Sequence, residues 1–471
     1  MTGVQTCALP ISRGIRPARS TDDRVGFNWL LENIVNYNKS FGKHNLGLTA
    51  LHSIQKDNFQ LSNISVQGVP AETQSFHNLG NASTVLGVGS TLIERSINSF
   101  MGRINYDYDG KYLLTATLRR DGASPFGVNT KYGNFPGIAL GWNIANEDFL
   151  KGSKWLDLLK LRVSYGAVGN QAVAPYQTQG LLSRTAYAWN TTAAFGYRPN
   201  TIGNPDLQWE ESTTQNIGID FSILKGRVYG SIEAYKVNTT DLLLADQLPT
   251  SIGFSSVTRN VGETQNKGIE LSITTVNVDR GGFKWTSDIV FTKNNESIIS
   301  LYNGKVDDLG NRWFIGKPLT AFFDLKKDGI WQLGEEDKAK AYGSRVGQIK
   351  VNDNNGRDAN GKLTGAPDGK INADDRVFLG SEIPDWSGGI TNRFSYKGFD
   401  FSFILYARIG QTIRSAFHAD NNQLAGRYQQ IKVDYWTPIN PTNEFPRPNK
   451  DQEFPVNNTT LLYFEIGRAH V

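Results

Sequence analysis

Cysteine is almost missing from this sequence. Cys7 is the only one in 471 residues, so intrachain disulfides and multi-cysteine metal centres are excluded. Histidine is scarce too, and His44, His52, His77, His418 and His470 share no metal-ligand spacing. No run of eighteen or so apolar residues occurs, and mean hydropathy is −0.40, which argues against helical membrane spans. Charge of one sign is also lacking. The net +4 makes no case for nucleic acid, and no basic cluster is interleaved with stacking aromatics. Neither a nucleophile elbow nor a phosphate-binding glycine loop is present. Glu210 and Glu211 form a carboxylate pair, but neighbours on a strand point to opposite faces, which is poor geometry for shared acid–base work. The expectation is a protein that is not an enzyme and needs no cofactor.

What the chain has is glycine (48), phenylalanine (25), tyrosine (18) and tryptophan (10), as suits a turn-rich all-β protein. Low mean hydropathy does not exclude a membrane barrel, whose polar lumen-facing residues alternate with apolar ones. The stretch Ile97 to Asp121 is the clearest example. Phe100, Gly102, Ile104 and Tyr106 alternate with Ser99, Met101, Arg103, Asn105 and Asp107. A turn at Tyr108-Asp109-Gly110 then predicts a hairpin with Tyr106 opposite Tyr112, Ile104 opposite Leu114 and Phe100 opposite Leu118. Strands of about ten residues match a tilted bilayer crossing, although a soluble sandwich hairpin reads the same way.

Other strands are expected at Phe27 to Asn38, His44 to Gln55, Phe135 to Ile144 and Leu159 to Ala167. Further ones follow at Thr213 to Leu224, Gly226 to Asn238, Asn266 to Val278 and Phe283 to Asn294, with a last hairpin from Trp386 to Leu405 around Lys397-Gly398. That is about a dozen. Asp57 to Ser90, Gln171 to Leu207, Thr239 to Glu263, Ser297 to Pro384 and Gly410 to Thr460 read as long polar connections. Short turns and long loops thus alternate, which is the asymmetry of an outer-membrane barrel with short periplasmic turns and long extracellular loops.

The motifs YNKSFGKHNL (37–46), YDGKYLLTATLRRDGAS (108–124), LRVSYGAVGNQ (161–171), NPDLQWEESTTQNIGIDFSIL (204–224), NVGETQNKGIELSI (260–273) and WSGGITNRFSYKGFDFSF (386–403) resemble the SusC/RagA-like TonB-dependent outer-membrane transporters of Bacteroidetes. The resemblance implies part of a large plugged barrel in the Gram-negative outer membrane. It implies active import of a bulky nutrient, an oligosaccharide or a peptide, together with a SusD-like surface lipoprotein. The plug and the TonB-contacting segment would precede Arg13. A passive porin-like channel and a soluble glycan-binding β-protein are the alternatives.

Within that resemblance, Asp353 and Asn355, then Asp368 to Asp375, look like two halves of a D-x-N-x-D-G calcium loop split by an insert, Arg357 to Pro367. Asp353, Asn355, Asp368 and Asp375 are the candidate ligands, and a solvated Asn/Asp/Gly turn is the competing reading. Tyr187, Trp189 and Tyr197 are candidate substrate contacts by ring stacking; packing within their own loop is the alternative. Residues 1–12 (MTGVQTCALPIS) and 465–471 (EIGRAHV) resemble translated sequencing-adapter read-through. The expected barrel segment is therefore 13–464, and the missing signal peptide says nothing about compartment.

Overall fold

Twelve strands follow one another as an antiparallel meander in the computed structural model, which describes residues 18–69, 76–415, 432–448, 460–461 and 463–466. They are β1 (Ala18–Phe41), β2 (His44–Gln67), β3 (Thr84–Tyr108), β4 (Tyr112–Ala123), β5 (Tyr132–Asn143) and β6 (Leu156–Asn170). The second half comprises β7 (Glu210–Ile223), β8 (Val228–Thr240), β9 (Glu263–Arg280), β10 (Phe283–Ser300), β11 (Trp386–Tyr396) and β12 (Phe399–Ile409). Each pairs with the next, so β1 and β12 are the two edges of an open sheet. Of the two expected foreign segments, 1–12 lies outside the described residues, as does 465–471 except for Glu465 and Ile466, which pair with Thr412 and Gln411.

Alternation sorts the strands into two faces. One carries Phe100, Ile104, Leu118, Leu140, Val163, Ile217, Ile232 and Ile269, all well exposed. The other carries Arg103, Asn105, Thr115, Arg162, Asn216 and Glu233. In water an apolar face so exposed would be a fault; against lipid it is the solvated side. The two- to four-residue turns lie at one end of the sheet, together with the twelve-residue connection 144–155, and the longest connections lie at the other.

Three expectations need correction. The Ile97 to Asp121 hairpin closes two residues tighter than predicted, with Tyr108 opposite Tyr112, Ile104 opposite Ala116 and Phe100 opposite Arg120. Asp109 and Gly110 both take positive φ, 56° and 64°, which turns the chain within Asp109 to Lys111. A shift of two residues leaves every side chain on its predicted face. The stretch Asp57 to Ser90 is mostly strand rather than loop: β2 runs to Gln67 and β3 starts at Thr84, with one irregularity near Ser65. That part is Ser/Asn/Gly-rich because strands rising beyond the bilayer meet water on both faces and need no apolar alternation.

The third correction concerns the long connections, whose described residues are largely folded. Hairpins form at Leu182–Trp189 with Thr192–Pro199, and at Leu243–Gln247 with Ser256–Asn260. Short ribbons pair Ala321–Asp324 with Val377–Ser381, Lys327–Ile330 with Ile349–Val351, and Gln411–Arg414 with Tyr463–Ile466. The buried apolar clusters lie almost wholly in this loop layer. One is Ala123, Phe126, Phe135, Val173, Leu207 and Trp209; another is Ile330, Ile349, Val351, Trp436 and Leu461.

Candidate functional site

The polar face of the sheet is the first candidate, since it would line a lumen. Register places Arg162 of β6, Asp220 of β7 and Glu233 of β8 side by side. Arg162 donates through Nε and Nη2 to both Asp220 oxygens, each at 2.8 Å, and through Nη2 to Glu233 Oε1 at 2.8 Å. Asn216 Nδ2 donates to the other Glu233 oxygen at 3.1 Å. A Cβ at Gly218 would stand 3.2 Å from Arg162 Nη2, so the glycine lets the guanidinium lie flat against the wall. Tyr235 lies over Gly268 in the same manner and donates to Asn294 Oδ1 at 3.1 Å. Arg393 pairs with Asp288, which also accepts from Thr274. Arg119 holds both Asp121 oxygens at 2.8 Å and reaches Ser99. These cations are each held by carboxylates of the wall itself, with Arg162 set against two.

Alternation along the expected strand Leu159 to Ala167 sets Arg162 on a polar face with Lys160 and Ser164, but it does not show this network. Its members are up to 71 positions apart, as for Arg162 and Glu233. Only the strand register joins them. A same-face search for opposite charges on successive strands is the signal that would find them.

The outer loops form the second candidate. Tyr187 and Trp189 share one face of their hairpin, with ring centroids 5.9 Å apart. Tyr197 pairs across from Arg184 on the opposite face, so the three predicted aromatics do not make one platform. All three are exposed, at 60%, 70% and 73%, and none packs its loop into a core. Beneath them Trp209 Nε1 donates to the Lys131 carbonyl at 2.9 Å and Thr130 Oγ1 to that of Leu207 at 2.6 Å. Trp436 Nε1 donates to Gln332 Oε1 at 2.8 Å in the second cluster. Two connections that looked irregular are knitted together in this way.

The split loop at 353–375 brings its two halves into contact. Asp375 is fully buried; its Oδ1 accepts from the amides of Asn354 (2.9 Å) and Asn355 (3.1 Å), and its Oδ2 from that of Asn372 (2.8 Å). Asp353 accepts from the amides of Asp368 and Gly369 and from the Tyr342 hydroxyl. Asn355 Oδ1 takes the Gly365 amide, and Asp368 Oδ1 that of Lys370. Arg357 of the insert closes the loop on Asp374, whose carboxyl it holds below its usual range. The carboxylates thus face N–H donors. Among the described residues no group of three or more His, Cys, Asp or Glu is gathered tightly enough to hold a metal ion.

At the short-turn end, Glu147 collects three donors. Oε1 accepts from the Tyr112 hydroxyl (2.6 Å) and Trp142 Nε1 (3.0 Å), and Oε2 from Lys111 Nζ (3.0 Å). Those bonds, Tyr112's first, bring the carboxyl down to about 2. His44 continues the belt, with Nδ1 2.7 Å from the Tyr106 hydroxyl and the Phe41 ring stacked at 5.2 Å. Aromatic tips at one level suit a bilayer interface.

Comparison with known proteins gives a consistent picture. The family described as "TonB dependent receptor-like, beta-barrel" matches residues 10–321. TonB-dependent receptor P26 of Formosa agariphila is 35% identical over 440 residues, covering 90% of this chain and 43% of that protein. TonB-dependent receptor SusC of Bacteroides thetaiotaomicron is 31% identical over 369 residues, covering 74% and 34%. Among solved structures, the RagAB peptide transporter superposes with a TM-score of 0.78 at 23% identity, covering 95% of this chain and 48% of that one. The chain thus spans less than half the length of these relatives.

Proposed function

The chain belongs to the TonB-dependent receptor-like β-barrel family of the outer membrane, and from that premise we propose that it walls an active importer for a bulky nutrient. The observation that carries this reading is the pairing of a lipid-type outer face with a polar inner face whose cations are held by carboxylates of the same wall, as Arg162 is by Asp220 and Glu233. Such a wall accommodates a plug domain and lets it rearrange without breaking ion pairs to the barrel. The cargo is an oligosaccharide or a peptide. It meets Tyr187 and Trp189 first, whose exposed, neighbouring rings offer a stacking face; Tyr197 faces another direction. A SusD-like lipoprotein covers the knitted outer loops, and TonB supplies work from the proton gradient.

Uptake of fluorescent oligosaccharides and peptides into cells with and without the gene tests this. Gene-dependent uptake that stops on adding a protonophore is expected. Uptake that persists without the gradient favours the passive channel instead. Recovery of the protein in a soluble fraction would end both readings. Trp189→Ala is expected to weaken cargo binding without changing outer-membrane abundance.

A further inference from the structure

The apolar outward face of β1 to β4 is not uniform, and its relief has a shape. Register aligns three rows across these strands. The lowest is Tyr37, Leu48, Ile104 and Ala116. The next is Val35, Ala50, Gly102 and Leu118, and the highest is Asn33, His52, Phe100 and Arg120. Small residues at Ala50, Gly102 and Ala116 sink the middle of the face between Leu118, Ile104 and Val35. The result is two adjoining grooves of about 640 and 550 Å³. They run up the wall and end at the row holding Arg120.

Arg120 is an outlier on that face. It is an exposed cation on the lipid side, and its partner among the described residues is the Tyr132 ring, 5.1 Å from the guanidinium carbon. No carboxylate pairs with it among those residues, whereas Lys56, farther up the same face, is bound to Glu94 at 2.9 Å. From Tyr112 to Arg120 the strand rises about 26 Å, or about 20 Å toward the outside at the usual tilt, against an apolar band about 25 Å tall. Arg120 therefore stands near the upper margin of the hydrocarbon, where Tyr132 supplies an interfacial ring. Beside it in the row, His52 stacks on Phe100 at 4.7 Å and holds Asn98 at 3.1 Å, while Asn33 is exposed.

We infer that this groove and its cationic rim bind one phosphorylated, multiply acylated glycolipid of the outer leaflet, of the lipid A type. The acyl chains occupy the groove over Gly102 and Ala50, and a phosphate oxygen accepts from Arg120 at its upper end. Two facts select this occupant over an ordinary phospholipid. The rim lies at the long-loop end, which faces outside in such barrels, and the grooves adjoin, as several chains on one headgroup require. An exposed guanidinium at the margin of the hydrocarbon, without an acid partner among the described residues, suits a phosphate by charge and by fork geometry. The inference rests on the outer-membrane placement and not on the cargo.

The test is native mass spectrometry of the protein taken from outer membranes and placed in phosphatidylethanolamine nanodiscs. It is titrated with lipid A, with dephosphorylated lipid A and with phosphatidylglycerol. One lipid A is expected to be retained preferentially. Arg120→Gln should lower that retention roughly tenfold and Arg120→Lys much less. Gly102→Leu should lower retention of both lipid A forms by filling the groove; a Cβ there meets nothing within 4 Å, so the strand itself tolerates it. Heat-modifiable migration checks assembly of each variant. If Arg120→Gln does not assemble, the loss on Gly102→Leu and the contrast between lipid A and its dephosphorylated form carry the test. Equal retention by wild type and the assembled variants overturns the inference. So does equal binding of the dephosphorylated form, or a preference for phosphatidylglycerol.

Discussion

The strand wall and the loop layer above it are stabilised by different means. In the wall, large apolar side chains such as Ile104 (46%), Leu118 (56%) and Ile217 (51%) are exposed, and ladder hydrogen bonds and lipid do the work that a core does elsewhere. In the loop layer, Phe126, Leu207, Ile330 and Ile349 have relative exposures of 2% or less, as in a water-soluble domain. The protein therefore carries an aqueous fold on top of a membrane fold, and the same kind of substitution should act differently in the two.

The largest effect is expected where burial is complete. Leu207→Ala should cost about 2–5 kcal/mol locally, because the cavity lies among Phe126, Phe135 and Trp209 with little room to collapse. The loss should stay in the loops, seen as faster proteolytic nicking between β4 and β7 with heat-modifiable migration of the barrel unchanged. Loss of barrel assembly would show that the loop layer is not separable from the wall.

In the wall, polarity should matter more than volume. Ile104→Arg places a cation on the lipid face near mid-bilayer, at roughly 2–4 kcal/mol, and should reduce the assembled fraction in membranes. Arg103→Ile on the polar face should be much milder, since Arg103 loses only its bond to Thr117 (3.2 Å). Similar losses for both would contradict the facing of β3. Spin labels sharpen the comparison: position 104 should respond to a lipid-soluble relaxant, and 105 to a water-soluble one.

What the sequence made legible follows the same division. Alternation and loop-length asymmetry are local signals, and they located every wall strand and the two faces of the Ile97 to Asp121 hairpin. Strand ends above the bilayer were missed, as at Asp57 to Gln67, because water on both sides erases the period-two pattern that marked the rest. The loop layer was illegible for a different cause. Trp436 meets Gln332, and Trp209 meets Lys131, across long stretches of chain, and short ribbons such as Lys327–Ile330 carry too few residues for periodicity. The aromatic candidates were visible as residues, but which of them share a face depended on the hairpin pairing, which sets Tyr197 apart.

A smaller effect should separate hydrogen bonding from packing within the loop layer. Asp375 is fully buried and satisfies three backbone amides. Asp375→Ala should cost about 1–3 kcal/mol by leaving those donors unpaired, with faster amide exchange at Asn354, Asn355 and Asn372. Asp374→Ala removes the partner of the exposed Arg357 side chain and no acceptor of a backbone amide, and should change exchange little. Equal effects would mean that the loop is held by something other than the buried carboxylate.

The smallest effect tests whether a polar hub can replace a core where the wall has none. Glu147 ties Tyr112 of β4, Trp142 of β5 and Lys111 of the turn between β3 and β4. Its carboxyl is lowered from 4.5 to about 2, so the ionised form is the one the fold favours. A depressed folded value means that the contribution is complete above about 4.5 and fades as pH falls through about 2. Fluorescence of Trp142, followed in a variant whose other nine tryptophans are phenylalanine, should therefore hold steady from neutral pH to about 4 and shift below 3. Glu147→Gln keeps the shape but removes the charge that Lys111 answers, and should abolish that acid transition. It should also leave assembly intact, because the ladder between β4 and β5 runs from Tyr112 to Gly122 without help from the hub. A transition near 4.5 in the wild type would show that the three donors do not reach Glu147 in the membrane. Failure of Glu147→Gln to assemble would show instead that the short-turn end depends on its polar contacts as strongly as the loop layer depends on its buried ones.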